Sequence, residues 1–256
     1  MTIESFLSEL EKTARDRKIN TSVFLIHKIN SVRKKHIKSK EEEMAISCLI
    51  SNIKIKKIGE LRAEIIRGIK QYKEARKIAE EKIIEFASQK IFKGSVVFSC
   101  GHSDRVINAI KRAGTCGVEF SVHTIDAGTD LEGRKAAEEI SLMRIKTRHF
   151  PDIAANKALE KVDVLFFEPE SVTENKIMVP FGVNAVLEEA KKQNVSVYCI
   201  YNSLAGGSKN KQWPKQKTPE HLHLMGGDAE ESKTGNITGV ITGQGILTVS
   251  QFLRQT

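Results

Sequence analysis

The chain has 256 residues, is 40% hydrophobic and carries 41 Lys and Arg against 32 Asp and Glu, a net charge of +9. That size and apolar content fit one large domain or two smaller ones with real cores, and no apolar run approaches the ~20 residues a membrane-spanning helix needs. Cys48, Cys100, Cys116 and Cys199 lie far apart with no CxxC pair, which argues against a zinc ribbon or a disulfide framework and fits a reducing compartment.

The N-terminal segment Met-Thr-Ile-Glu-Ser-Phe-Leu lacks the basic and apolar regions of a signal peptide, so a cytoplasmic location is expected. Residues 1–92 read as helices. Ile3, Phe6, Leu7 and Leu10 are spaced for a first one, and Val23 to Ile29 for a second that ends near Arg33-Lys34-Lys35. Residues 40–53 start acidic and become apolar, which suits a helix favoured by its own dipole. Ile58, Leu61, Ile65, Ile69, Tyr72, Ile78, Ile83, Ile84 and Phe86 predict a long amphipathic helix running to about Phe92.

After Lys93 the period changes. Short apolar strands are predicted at 96–99, 120–124, 146–150, 163–167 and 195–201, with helices between them at 103–113, 133–143, 154–161 and 182–193. This alternation predicts an α/β fold in which a Rossmann-like, doubly wound, mainly parallel sheet follows a helical domain, with domains at 1–92 and 93–256. Residues 204–219 read as a loop with Gly-Gly, two prolines, four lysines and Trp213, and 226–235 as a second polar loop. Residues 237–249 read as one last strand, followed by a short helix.

Ligands of such sheets sit at the carboxyl ends of the strands. Ser99 to Ser103 forms the turn between the first strand and a helix N-terminus, a place suited to an anion because free N–H groups point outward there. Candidate ligand-binding residues are Ser99, Gly101, His102, Ser103, Asp126, Glu168, Glu170 and Asn202. Ser103 is equally placed as an N-cap, and His102 as a residue that orders the turn. Cys100 is either a displaced nucleophile or a buried small hydrophobe. Glu168 and Glu170 are spaced to share one side of an extended segment, as an acid–base pair or a partner contact. His221 and His223, with Asp228 beyond, lack a third ligand at proper spacing, so no metal and no cofactor are expected.

Residues 1–95 hold 22 Lys and Arg against 13 Asp and Glu, so the whole excess charge lies there. Arg33, Lys34, Lys35 and Lys38, then Lys54, Lys56 and Lys57, form the densest clusters, and Lys209, Lys211 and Trp213 form a stacking and phosphate-contact loop. These ten residues are the candidate nucleic-acid contacts, unless they are simply a solvated surface.

From about Lys73 to Leu253 the chain resembles a superfamily of ribose-1,5-bisphosphate isomerase, methylthioribose-1-phosphate isomerase and the alpha, beta and delta subunits of eukaryotic initiation factor 2B. The resemblance is carried by Val-Val-Phe-Ser-Cys-Gly-His-Ser (96–103), Phe-Ser-Val-His-Thr-Ile-Asp (120–126), Pro-Asp-Ile-Ala-Ala-Asn-Lys-Ala (151–158), Val-Leu-Phe-Phe-Glu-Pro-Glu-Ser-Val (164–172) and Thr-Gly-Val-Ile-Thr-Gly-Gln-Gly-Ile-Leu (238–247). It implies a homodimer or a higher assembly. The isomerases' cysteine falls on Gly101, their aspartate on Glu170, a phosphate-anchoring arginine on Gly128, and an Asn-Lys on Val179-Pro180. Leu204-Ala205-Gly206 stands where a lysine is expected, and the isomerases' Arg-Gly-Ala segment is absent. The resemblance therefore implies a retained frame with its isomerase chemistry lost. The expected function is binding in translation, to an initiation factor, the ribosome or RNA. The alternatives are a sugar-phosphate isomerase using Cys100 and Glu170, or a sensor of a phosphate-containing metabolite.

Overall fold

The structure, a computed structural model, describes residues 3–36, 57–127, 132–173, 176–202, 204 and 229–254. The helix predicted over 40–53 lies outside these residues, as do Cys48, Lys38, Lys54, Lys56, Gly128, Lys209, Lys211, Trp213, His221, His223 and Asp228. Two units are distinguished: the first holds the described residues up to Ala79 together with Asn202 and Leu204, and the second runs from Glu80 to Tyr201 and continues over the described residues from 229.

The first unit is helical. Helix α1 (Ile3–Arg15) buries Phe6, Leu7, Leu10 and Ala14, and α2 (Ser22–His36) buries Leu25, Ile29, Val32 and His36. Both series follow the helical period. Helix α3 (Ile58–Ser88) contributes Leu61, Ile65, Ile69 and Tyr72 to the same core. Arg62 of α3 fastens the chain as it leaves α1, donating to the carbonyl oxygens of Ala14 (2.5 Å), Asp16 (2.6 Å) and Ile19. Tyr72 donates its hydroxyl to the Leu204 carbonyl at 2.6 Å. The last turn of α2 gathers Arg33, Lys34, Lys35 and His36, where cations meet the negative end of the helix dipole.

The second unit is built on a seven-stranded sheet. Its strands are β1 (Val96–Cys100), β2 (Ser121–Ile125), β3 (Lys146–Phe150), β4 (Val164–Phe167), β7 (Ser196–Ile200), β9 (Gly239–Thr242) and β10 (Gly245–Leu247). Their order is β10-β9-β7-β4-β1-β2-β3, parallel except for β10. Alternate strand residues face two separate cores. Val97, Val122, Val164, Phe166, Ile200 and Ile241 pack with the end of α3 (Ile83, Ala87) and with α4 (Asp104–Thr115) and α5 (Glu132–Leu142). Phe98, Leu165, Phe167, Val197, Cys199 and Val240 pack with α6 (Ala155–Ala158), α7 (Val183–Lys192) and α8 (Val249–Leu253). Helices cover both faces, so the sheet is doubly wound.

Three expectations need correction. Residues 237–249 are not one strand: β9 and β10 form an antiparallel hairpin that turns at Gly243-Gln244 and opens into α8. The Thr242 hydroxyl fastens that turn, accepting from the Gln244 N–H at 3.2 Å and donating to the Gly245 carbonyl at 3.1 Å. The segment 226–235 includes a strand, β8 (Ala229–Ser232), which pairs with β6 (Lys176–Pro180) in a small antiparallel sheet of order β5-β6-β8, where β5 is Ser171–Thr173. The helix expected over 154–161 is a 3-10 turn (Asp152–Ala154) followed by the single turn α6, and the chain leaves it through Lys161 at φ +63°.

One close approach fixes α5. Gly133 lies so near the end of β2 that a Cβ added there would sit 1.7 Å from the Ile125 carbonyl oxygen. A Gly133→Ala change must push the helix off the sheet. The expected loss is about 3 kcal/mol or more, read as a lower urea midpoint, and an unchanged midpoint would contradict this packing.

Candidate functional site

Strand order reverses between β1 and β4: the chain runs outward through β2 and β3, then returns to add β4, β7 and β9 on the other side of β1. The crevice above the carboxyl ends of these two neighbours is where ligands of such sheets sit. Strand β1 is deeply buried because Val97, Phe98 and Ser99 lie at the sheet centre between β2 and β4. It stops at Gly101, whose φ of +72° a side chain would resist. The Gly101 N–H donates to the Ile125 carbonyl at 3.3 Å, and the chain turns into α4.

Ser103 is the N-cap of α4, with its hydroxyl accepting from the Val106 N–H at 3.4 Å. The same hydroxyl donates to Glu168 Oε2 at 2.7 Å. Glu168, the first residue after β4, also receives Arg105 Nη1 on Oε1. The Arg105 side chain is only 13% exposed, and its Nε lies 2.7 Å from Glu80 Oε1 near the end of α3. That contact is an ion pair rather than an aligned hydrogen bond. The Ser103 hydroxyl and the Arg105 guanidinium at the switch point are thus engaged by the chain's own carboxylate.

The remaining sequence candidates lie apart from this cluster and make their own contacts. Ser99 is fully buried beneath the turn. Asp126 caps α5, with Oδ1 accepting from the Arg134 N–H at 3.1 Å and Oδ2 lying 3.5 Å from His149 Nε2. The second ring nitrogen of His149 is 2.9 Å from the Thr124 hydroxyl on the neighbouring strand. His102 Nε2 lies 3.4 Å from Glu139 Oε2 on α5. The Glu170 N–H donates to the Met178 carbonyl at 2.8 Å, so Glu170 opens the small sheet, whereas Glu168 ends β4. Asn202 is buried and belongs to the first unit, where its side-chain oxygen accepts from the Leu204 N–H at 3.0 Å.

Cys100 is partly buried and packs against the core on its side of the sheet. Burial pushes its thiol up to about 12, and the charge of Asp152 adds a smaller push. Burial likewise raises Cys199. His123 of β2 is buried, shares 2.7 Å with the Ala158 carbonyl through Nδ1, and is held below the ordinary histidine range first by that burial. No group of three or more His, Cys, Asp or Glu that would hold a metal ion occurs among the described residues.

Among the basic candidates, Lys35 is bound to Glu9 at 2.9 and 3.0 Å, and buried His36 lies 2.6 Å from the same carboxylate. The Lys35 and His36 hydrogen bonds hold the Glu9 carboxyl below its usual range. Lys34 and Lys57 are exposed and Arg33 is half-buried. Sequence reasoning missed Arg105 and Glu80 as members of the site. Arg105 did give a signal: a cation in the first turn of a helix opposes the helix dipole and needs a nearby anion.

A helical first unit and a doubly wound, largely parallel sheet with its crevice above β1 and β4 define a Rossmann-like α/β protein. The chain matches the Initiation factor 2 subunit family over residues 3–228 and belongs to that family. It is similar to the ribose 1,5-bisphosphate isomerase of Thermococcus kodakarensis, with 26% identity over 137 residues. That match spans 53% of this chain and 42%, less than half, of that relative. Its fold is similar to that of eIF2B delta from Chaetomium thermophilum, with a TM-score of 0.74, 19% identity, and 94% of this chain and 91% of that one covered. It is also similar to that of the 5-methylthioribose 1-phosphate isomerase from Pyrococcus horikoshii OT3, with a TM-score of 0.71, 13% identity, and 98% and 81% covered. At these identities the two structures establish the fold alone.

The position of Cys100 gives a direct chemical prediction. A thiol raised to about 12 has little thiolate at pH 8, so iodoacetamide is expected to modify it at least about tenfold more slowly than exposed Cys116. Peptide mass mapping resolves the sites, and equal rates would contradict the environment described.

Proposed function

We propose that this chain is a non-catalytic member of its family that acts in translation by binding an initiation factor or a ribosomal partner. The observation that carries the reading is Glu168 seated on Ser103 and Arg105 at the switch point. A sugar bisphosphate needs several cationic or N–H contacts to offset the loss of its hydration, and the best of these are engaged by an internal carboxylate. Support also comes from the chemistry of the turn. Proton transfer in an aldose–ketose isomerisation needs a group whose pKa lies near working pH, and the Cys100 thiol is far above it.

The excess positive charge of the first 95 residues supports an acidic partner, protein or RNA. Lys34, Lys57, Arg67 and Lys70 are exposed on that unit. Self-association belongs to the same reading, by analogy with the family, and so does a cytoplasmic location. No helix among the described residues is long and apolar enough to cross a membrane.

A second reading, a rearranged sugar-phosphate isomerase, is favoured by the 26% identity to the ribose 1,5-bisphosphate isomerase. Purified protein incubated with ribose 1,5-bisphosphate or methylthioribose 1-phosphate separates the two. No turnover is expected. Turnover lost in Glu170→Gln would replace the binding reading with the isomerase one. Affinity capture from a lysate of the source organism should recover an initiation-factor or ribosomal partner at low salt and lose it steeply as salt rises. Recovery of neither at low salt would contradict the proposal.

A further inference from the structure

We propose that Glu168 determines specificity at the switch-point crevice: it is a resident anion that excludes phosphate groups from a seat otherwise fit to hold one. The inference rests on the binding reading of this crevice and adds the residue that enforces it.

Three features of the seat favour an anion. The first-turn N–H groups of Asp104 and Arg105 have no intrahelical acceptor, and the positive end of the α4 dipole lies there. Ser103 is buried and directs its hydroxyl proton to Glu168 Oε2 at 2.7 Å. The Arg105 guanidinium, almost withdrawn from solvent, meets Glu168 through Nη1. Hydroxyl, guanidinium and helix N-terminus together form the donor set that recognises a phosphate oxygen.

Charge then decides who occupies it. Arg105 is already faced by two carboxylates, Glu168 and Glu80. A phosphate entering beside them would bring one to two further negative charges to a cluster in which one guanidinium already faces two carboxylates. It would also displace a carboxylate tethered to the end of β4, whose position between β1 and β7 fixes where that carboxylate lies. A tethered group loses no translational freedom on binding, so it outcompetes a free anion of similar chemistry.

The seat should survive the loss of its occupant. With Glu168 neutral, Arg105 keeps Glu80 at 2.7 Å, and Ser103 keeps its capping bond to the Val106 N–H. In Glu168→Gln the amide oxygen can still accept from the Ser103 hydroxyl, and the guanidinium charge still faces Glu80. Neutralising Glu168 should therefore open an anion site rather than collapse the turn.

Isothermal titration with inorganic phosphate at neutral pH and low salt tests this on wild type, Glu168→Gln, Glu168→Ala and the double variant Glu168→Gln/Arg105→Gln. Circular dichroism confirms that each is folded. Both single variants are expected to bind phosphate at least about tenfold more tightly than wild type, with the gain abolished in the double variant. Equal affinity for wild type and the single variants would overturn the proposal, as would a gain that persists without Arg105. This failure is distinct from that of the binding reading, which falls only if the wild-type protein turns over a sugar phosphate or captures no partner.

Discussion

The contact between Arg105 and Glu168 ties together the two strands on either side of the topological switch. Strand β1 leads into α4, which carries Ser103 and Arg105 at its start; β4 ends at Glu168. The strands are paired in register from Val97 with Val164 to Ser99 with Phe166, so their ends arrive side by side and a carboxylate on one faces the helix start on the other. The ion pair is largely withdrawn from water, where removing one partner costs more than the pair contributes in net terms. Glu80 supplies a second acid to the same guanidinium, and this brings the end of α3 into the arrangement.

The rest of the second unit serves that placement. Two cores, one on each face, hold the sheet rigid. Gly101 and Gly133 let the backbone turn and approach where side chains would not fit. Asp126 anchors α5 through the Arg134 N–H, and Asp152 holds the Ala127 N–H at 3.0 Å. Polar groups at the strand ends are thus largely committed to holding backbone. A catalytic crevice spends such groups on its substrate, and this difference is what distinguishes the reading of a binding protein from that of an isomerase within one family.

Much of this frame was legible in the sequence. Helical spacing marked α1, α2 and α3, and the short apolar runs marked β1, β2, β4 and β7 to within about a residue. Ser103 was legible as a cap because its hydroxyl stands just before an apolar helical series. The small sheet was not: β5 has three residues, β6 is a short Lys-Ile-Met-Val run closed by Pro180, and β8 reads Ala-Glu-Glu-Ser, so the three together give no strand pattern long enough to mark a sheet. Its pairing is set by tertiary context rather than propensity. The hairpin of β9 and β10 was hidden for the opposite reason, since Gly243 and Gly245 sit inside an otherwise strand-like run and mark the turn only once the antiparallel register is known. At the site, alternation placed Glu168 and Glu170 together, but the backbone bond from Glu170 to Met178 starts a new sheet between them. Arg105 escaped notice because its role depends on Glu168, 63 residues away.

The strength of the link between Arg105 and Glu168 is the quantity on which this account stands. A double-mutant cycle of Arg105→Gln, Glu168→Gln and the combined variant, measured by urea unfolding, reads it directly. The account predicts a coupling energy of about 1 kcal/mol or more, with the two single changes together more harmful than the double. A coupling energy of zero would mean that the carboxylate merely lies near the guanidinium, and the claim that it occupies the anion seat would fail.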